Sequence, residues 1–296
     1  MKNQIVMQIN YAERAGGSFG KRSIEDVCAF AKGLGFDGIE FRGKIPCDMT
    51  DLSFREYAEQ IAKASTKTGL ETVLFGFGLS DCYNPEKRDA QIEAVIENAK
   101  IAREVCGTEI CNVNSAWISA KTPGQPGYRY DLCGSAAADE KEWDMAAEAF
   151  VRIAPTLEKI GLRFAFETHM GYVHDLPVQA RKLVDMIDSP MIGINLDYGN
   201  TVYFPNCPTV EDSIDACGDK LFYTHLKNSI AVPGTDNLRL ATGLGEGQIN
   251  HRAYMEKLIA VGYAGPIGIE APRQGDRTWY AKCDMAYMKD LLADFE

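Results

Sequence analysis

The sequence predicts a single (β/α)8 TIM barrel covering residues 1–296. Three observations carry that expectation. β-rich apolar runs alternate strictly with helix-periodic runs, and composition does not break anywhere along the chain. No GxGxxG phosphate loop follows the first β-rich run, as an open doubly wound sheet would require. Acidic and imidazole side chains recur at the ends of the later β-rich runs, where a barrel gathers its strand ends on one face.

Residues 4–10 are the first β-rich run. Residues 23–34 then show helical spacing through Ile24, Val27, Cys28, Phe30 and Ala31 behind Ser23 as N-cap. The second strand is 38–41, followed by a helix over 53–68 that Gly69 ends. The third strand is 72–77, the third helix 85–105 and the fourth strand 109–115. Residues 117–139 are rich in Gly, Pro and Ser without a clear period; they predict a long loop over the catalytic face, a lid or partner surface. A helix over 140–160 follows, with Pro155 late in it as a kink site. Further strands start near Phe164, Met191, Leu221 and Pro266, and a last helix covers 278–295. The Gly-x-Gly pieces at 76–78 and 243–247 are assigned to turn geometry.

A chain of 296 residues can bury a sizeable core, and 46% hydrophobic with 25% charged residues is ordinary for a globular protein. The net charge of −11 argues against nucleic acid, which would call for a basic stripe. The apolar run in MKNQIVMQINYAER is too short for a signal-peptide core. No stretch approaches membrane-spanning length, so the expectation is a cytoplasmic protein with no membrane partner. Nine scattered cysteines with no CxxC pair read as reduced thiols.

The chemistry concentrates in residues 164–200, FAFETHMGYVHDLPVQARKLVDMIDSPMIGINLDYGN, where Glu167 ends one apolar run and Asp197 the next. A βαβ crossover brings such ends together on one edge. LFYTHLKN adds His225 and PIGIEAPR adds Glu270. Three carboxylates facing one another repel unless a cation lies among them. The prediction is a divalent ion held by Glu167, Asp197, His225 and Glu270, with Mn²⁺ the first choice and Mg²⁺ or Co²⁺ the alternatives.

The other strand-end polar residues, Glu40, Asn112, Asn114, Asn200 and Lys227, are candidates for contact with substrate. Lys227 either neutralises an oxyanion or is a buried partner of Glu270 or Glu246. His169, two residues after Glu167, points to the same side and is a candidate base or substrate donor. Trp117, Tyr128 and Tyr130 suit stacking on a sugar ring, or packing of the long loop on the rim. His174, beside a helix start, and His251, after N-cap Asn250, are expected at the surface.

At these residues the chain resembles the xylose isomerase-like TIM-barrel superfamily, the sugar phosphate isomerase/epimerase group, over nearly its whole length. GFDGIEF at 35–41, FETH at 166–169, INLDYGN at 194–200, THLKN at 224–228, LGEGQIN at 244–250 and GYAGPIGIE at 262–270 carry the resemblance. It implies that Glu167 and Glu270 act as acid and base as well as ligands, with Asp197 and His225 ligands alone. It also implies a sugar or glycoside substrate and a homo-oligomer or heteromer. Two departures count against simple ketose epimerisation: Asp197-Tyr198-Gly199-Asn200 replaces Asp-x-x-His, and Ser229-Ile230-Ala231-Val232 lacks the arginine that often follows the histidine. ETHMGYVHDLP and DYGN also resemble the barrel subunit of C-glycoside deglycosidases, whose Glu-x-His supplies a base. The expected activity is metal-dependent sugar isomerisation or epimerisation, by loss of a proton α to a carbonyl through a metal-stabilised enediolate. A carbon–carbon lyase acting on 3-oxo-C-glycosides is the second variant, and a non-catalytic sugar-binding barrel the third.

Overall fold

Eight parallel strands close into a barrel in the order of the sequence. The computed structural model describes residues 3–14, 17–121, 129–235, 238–270 and 273–295. The barrel strands are β1 (Ile5–Gln8), β2 (Gly38–Arg42), β3 (Thr72–Gly78), β4 (Ile110–Asn114), β5 (Arg163–Glu167), β6 (Ile192–Asp197), β7 (Leu221–Leu226) and β10 (Ile267–Ile269), and β10 pairs with both β7 and β1. Outside them lie α1 (Ile24–Leu34), α2 (Phe54–Thr68), α3 (Arg88–Cys106), α4 (Glu140–Ile160), α5 (Pro177–Ile187), α7 (Val210–Cys217), α8 (His251–Ala260) and α9 (Arg277–Ala293). The predicted alternation is therefore the one the chain adopts.

Local signals set the helix ends. Ser23, Ser53 and Asp139 each accept a hydrogen bond from the amide three residues on, and the carboxylates of Asp26, Glu56 and Glu142 accept one from the amides of those caps, which closes three capping boxes. Gly69 ends α2 at φ 75°, a conformation that costs glycine little. Pro155 lies inside α4, which runs unbroken to Ile160.

Alternation along the strands decides what fills the barrel. Val6, Leu74, Ile110, Ala165 and Tyr223 form a small apolar cluster of their own, apart from the main core under the helices. Two residues further along the same strands come Gln8, Gly76, Asn112, Glu167 and His225. One step beyond the apolar floor, the interior therefore turns polar, at the C-terminal end where this fold carries its chemistry.

Two elements differ from expectation. After β7 the chain forms an antiparallel hairpin, β8 (Asn228–Ala231) with β9 (Arg239–Thr242), which the sequence reading passed over. Between β6 and β7 a short α6 (Tyr198–Thr201) precedes α7. The loop after β4 is pinned to the loop after β5: Ile118 N–H donates to Gly171 O at 2.7 Å, Gly134 N–H to Ile118 O at 2.9 Å and Ser135 N–H to Asp175 Oδ2 at 3.0 Å. Tyr128 lies outside the described residues. All nine cysteines are free thiols, and no helix among the described residues is long and apolar enough to cross a membrane.

Candidate active site

Glu167 closes β5, Asp197 closes β6, His225 lies on β7 and Glu270 follows β10. Gly268, two residues before Glu270, makes room for this, because a Cβ there would run into the rings of Tyr223 and His225. One donor atom from each of the four residues lies within 4.8 Å of the others. His225 Nδ1 is 3.8 Å from Glu167 Oε1, 3.6 Å from Asp197 Oδ2 and 3.4 Å from Glu270 Oε2. Nδ1 is buried without a hydrogen-bond partner among the described residues, while the last two oxygens each lie 2.7 Å from the Lys227 ammonium. Buried polar atoms are rarely left unpaired. An unpaired imidazole nitrogen facing three carboxylates fits a hard divalent ion with one imidazole in its shell, alongside the charge that Lys227 already supplies.

His225 is oriented from behind. Its Nε2 is 2.8 Å from Glu40 Oε2, which also accepts from the Tyr223 hydroxyl at 2.9 Å. The network thus places a proton on Nε2 and turns Nδ1 toward the three carboxylates, as in a carboxylate–histidine–metal arrangement. Burial disfavours the imidazolium, but Glu40, Tyr223, Asp197 and Glu167 together outweigh it and drive the pKa of His225 well up. Asn112 Nδ2 ties Glu40 Oε1 (3.2 Å) to Glu167 Oε2 (2.8 Å), and Asn195 Nδ2 holds Asn112 Oδ1 at 3.1 Å. Asn200 Nδ2 donates to Glu167 Oε1 at 3.2 Å.

Lys227 is buried, with Nζ 2.7 Å from both Asp197 Oδ2 and Glu270 Oε2 and donating to Asn200 Oδ1 at 3.1 Å. Of the two partners expected for it, Glu270 is present. Glu246 instead caps the Gly243 amide at 3.1 Å. Burial works against the ammonium, but Asp197 and Glu270 raise its pKa on balance. In return, burial pushes Glu270 up while Lys227 and His225 pull it down, leaving it at about 2. Glu167 is likewise lowered, against its burial, by His225. At Asp197 burial prevails over Lys227, and the pKa is raised.

His169 is half-buried with Nδ1 2.9 Å from the Met170 carbonyl, so the proton belongs on Nδ1 and the lone pair on Nε2. His174 and His251 correct the expectation of surface residues, since both are buried. His174 Nδ1 lies 2.6 Å from Glu167 O, and its Nε2 accepts the Ser115 amide at 3.1 Å, so it pins the backbone beside the site in its neutral form. Desolvation lowers the pKa of each to about 4.

A cavity of about 610 Å³ opens from Glu167 and Glu270 past Glu40, Asn114 and His169. Asn114 Oδ1 is buried there with no hydrogen-bond partner among the described residues. Trp117 is half-exposed and meets Tyr172 edge-on at 5.8 Å, while Tyr130 meets Tyr203 in the same way; both contacts are within the rim. A larger cavity of about 980 Å³ lies at the opposite end, among strand starts including Leu74, Ile110 and Arg163, away from the carboxylates. The residues missed from the sequence are Gln8, Asn10, Asn195 and Tyr223. Asn10 Nδ2 reaches Glu270 Oε1 at 3.4 Å from the 3-10 turn Ile9–Tyr11 after β1, whereas Gln8 was readable by alternation from Val6.

A family model described as xylose isomerase-like TIM barrel matches residues 28–291. The chain belongs to the xylose isomerase-like TIM barrel family. It is 23% identical to an inosose dehydratase of Geobacillus kaustophilus over 168 residues, 52% of this chain and 54% of the relative. It thus spans about half the length of the curated relatives it matches. Among solved structures it is similar to a xylose isomerase-like TIM barrel protein from Mycobacterium smegmatis in complex with magnesium, with TM-score 0.76 and 18% identity over 99% of this chain and 97% of that one. It is also similar to the 3-keto-D-glucoside 4-epimerase of E. coli, with TM-score 0.73 and 19% identity over 98% and 100% of the chains. The fold neighbours of this family member thus include sugar epimerases, a dehydratase and a family barrel with magnesium.

Proposed function

We propose that this chain is a divalent-metal-dependent enzyme that removes a proton from the carbon next to the carbonyl of a sugar or sugar-like ketone. The observation that carries this reading is the convergence of His225 Nδ1, unpartnered among the described residues, with carboxylate oxygens of Glu167, Asp197 and Glu270, all within 4.8 Å of one another beside a cavity. Glu167, Asp197, His225 and Glu270 would hold Mn²⁺ or Mg²⁺, which would supply electrostatic stabilisation of negative charge on a carbonyl oxygen.

The chain's own residues do the rest. Lys227, a fixed cation 2.7 Å from two of the carboxylates, favours the ionised form of each. That also makes Glu270, at about 2, a weak base. His169 is better suited, because its Nδ1 is committed to Met170 O and its Nε2 lone pair is available beside the cavity. We assign it the proton abstraction, with return of the proton to the neighbouring carbon or the opposite face giving isomer or epimer. Expulsion of a group β to the carbanion is the lyase variant of the same first step. The dehydratase and epimerase names of the relatives support proton chemistry beside a carbonyl.

The test is a panel of ketoses incubated with the protein and Mn²⁺ in D₂O. Deuterium should enter at the carbon beside the carbonyl. His169→Gln should keep the metal and slow exchange by about 10²-fold or more. Full exchange in that variant would move the base to Glu270, and turnover without any exchange would remove the mechanism.

A further inference from the structure

The other end of the barrel carries a site of its own. Alternation runs downward from the apolar floor as well as upward: two residues before Val6, Leu74, Ala165 and Tyr223 come Gln4, Thr72, Arg163 and Leu221. Arg163 is thus an inward-facing, half-buried guanidinium beneath Leu74 and Ile110, and it is the one cation among the described residues that line the cavity of about 980 Å³. It lies over the face of the Phe222 ring at 5.4 Å. β6 runs between the strands that bear the two side chains, and it supplies Gly193 there, where a Cβ would collide with the Phe222 ring. The wall beside them is fixed, because the Tyr263 hydroxyl donates to Pro266 O at 2.6 Å and Asn3 Nδ2 to Gly265 O at 2.6 Å. Stacking occupies the face of the guanidinium and leaves its in-plane N–H donors, which make no hydrogen bond or ion pair with a described residue.

Charge decides what those donors take. The rim holds Glu71, Glu109, Asp215 and Asp219. Three of them have cations from outside the cavity: Lys32 is 3.6 Å from Glu71, Lys257 2.6 Å from Asp215 and Arg181 2.8 Å from Asp219. That leaves Glu109, which is exposed, to set against the single charge of Arg163. One further negative charge is accommodated at the guanidinium, whereas a dianionic phosphate would meet an excess of carboxylates. The two oxygens of a carboxylate also match the guanidinium fork. Leu74, Ile110, Leu221, Phe222 and Pro266 make the neighbouring surface apolar, and the volume is at the upper end of the ~300–1,000 Å³ of small-molecule sites.

We propose a second ligand site at the N-terminal end of the barrel, for an aromatic monocarboxylate that pairs with Arg163 and lays its ring on the Leu74–Ile110 floor beside Phe222. It is independent of the metal and of the enolisation reading, which concern the opposite end.

Arg163→Met and Phe222→Leu test it. The probes are 2-naphthoate, 2-naphthamide and 2-naphthyl phosphate, titrated by calorimetry into protein kept in EDTA, so that no metal at the far end can hold a carboxylate. One 2-naphthoate should bind per chain, about tenfold or more tighter than the amide or the phosphate ester. Arg163→Met should weaken it about tenfold or more, and Phe222→Leu by less. Arg163→Lys keeps the charge, loses the fork and should fall between, which also guards against a variant that merely misfolds. Asp197→Ala should bind 2-naphthoate as the parent does. The absence of saturable binding, equal binding of acid and amide, a preference for the phosphate ester, or an Arg163→Met affinity equal to the parent's would overturn the proposal. Loss of binding in Asp197→Ala would overturn it as well, by placing the probe at the carboxylate end.

Discussion

Replacing Glu40 by Gln separates a ligand-orienting role from a substrate contact at nearly constant volume. Glu40 Oε2 takes the His225 Nε2–H at 2.8 Å and the Tyr223 hydroxyl at 2.9 Å, both with the assistance of its charge. A neutral amide keeps the shape and loses that assistance. If its NH₂ turns toward Nε2, two donors face each other and the imidazole is driven toward the tautomer with a proton on Nδ1, the atom aimed at the carboxylates. Loss of an outer partner of a ligating histidine typically weakens a metal site by about 10–100-fold. That corresponds to about 1.4–2.7 kcal/mol, in line with about 1.5–3 kcal/mol for a hydrogen bond to a charged group. Mn²⁺ titration of Glu40→Gln by calorimetry should show this weakening, while KM for substrate at saturating Mn²⁺ stays within about twofold. Unchanged Mn²⁺ affinity with a raised KM would refute the orienting role and make Glu40 the substrate contact expected from the sequence.

Acid should destabilise the fold through its buried histidines. His174 and His251 are depressed to about 4 from 6.5, so below pH 6.5 the unfolded chain takes up protons that the folded chain refuses. Their contribution is therefore complete above 6.5 and lost as pH falls to 4, at roughly 3 kcal/mol each. Asp175, raised by burial to about 6 from 3.8, runs the other way and recovers a similar amount over about pH 6 to 3.8. Asp197 and Asp284, also raised by burial, act in the same direction as Asp175, so the imidazole share is read by comparison with His251→Gln: the urea midpoint of the parent should fall more between pH 6.5 and 4 than that of the variant, and an equal change in both would contradict it. Gly134→Ala should unlatch the loop after β4, because Gly134 sits at φ 56° and a Cβ there meets Asp175 and the Tyr172 backbone. A cost of about 1 kcal/mol or more with a raised KM is expected, and wild-type kinetics would deny that loop a part in the site.

The barrel and the four ligand-type residues were legible for the same reason. Parallel strands buried on both faces read as apolar runs, and a carboxylate closing such a run, as at Glu167 and Asp197, cannot be there for solubility. What pairs with those residues was less legible. Glu40 and His225 are 185 positions apart, and only the closed barrel brings them within 2.8 Å. His174 and His251 lie in loop and helix-start sequence that looks exposed, yet tertiary packing buries them. The β8–β9 hairpin was hidden behind the expectation of a helix after every strand, although Val232-Pro233-Gly234-Thr235 carries a Pro-Gly turn signal.

The most direct test is the metal content of the protein after loading with Mn²⁺ and removal of free ion. One ion per chain is expected in the parent and close to none in Asp197→Ala, with both proteins folded by circular dichroism. Equal metal in the two, or none in the parent, would contradict a divalent-ion site built from Glu167, Asp197, His225 and Glu270.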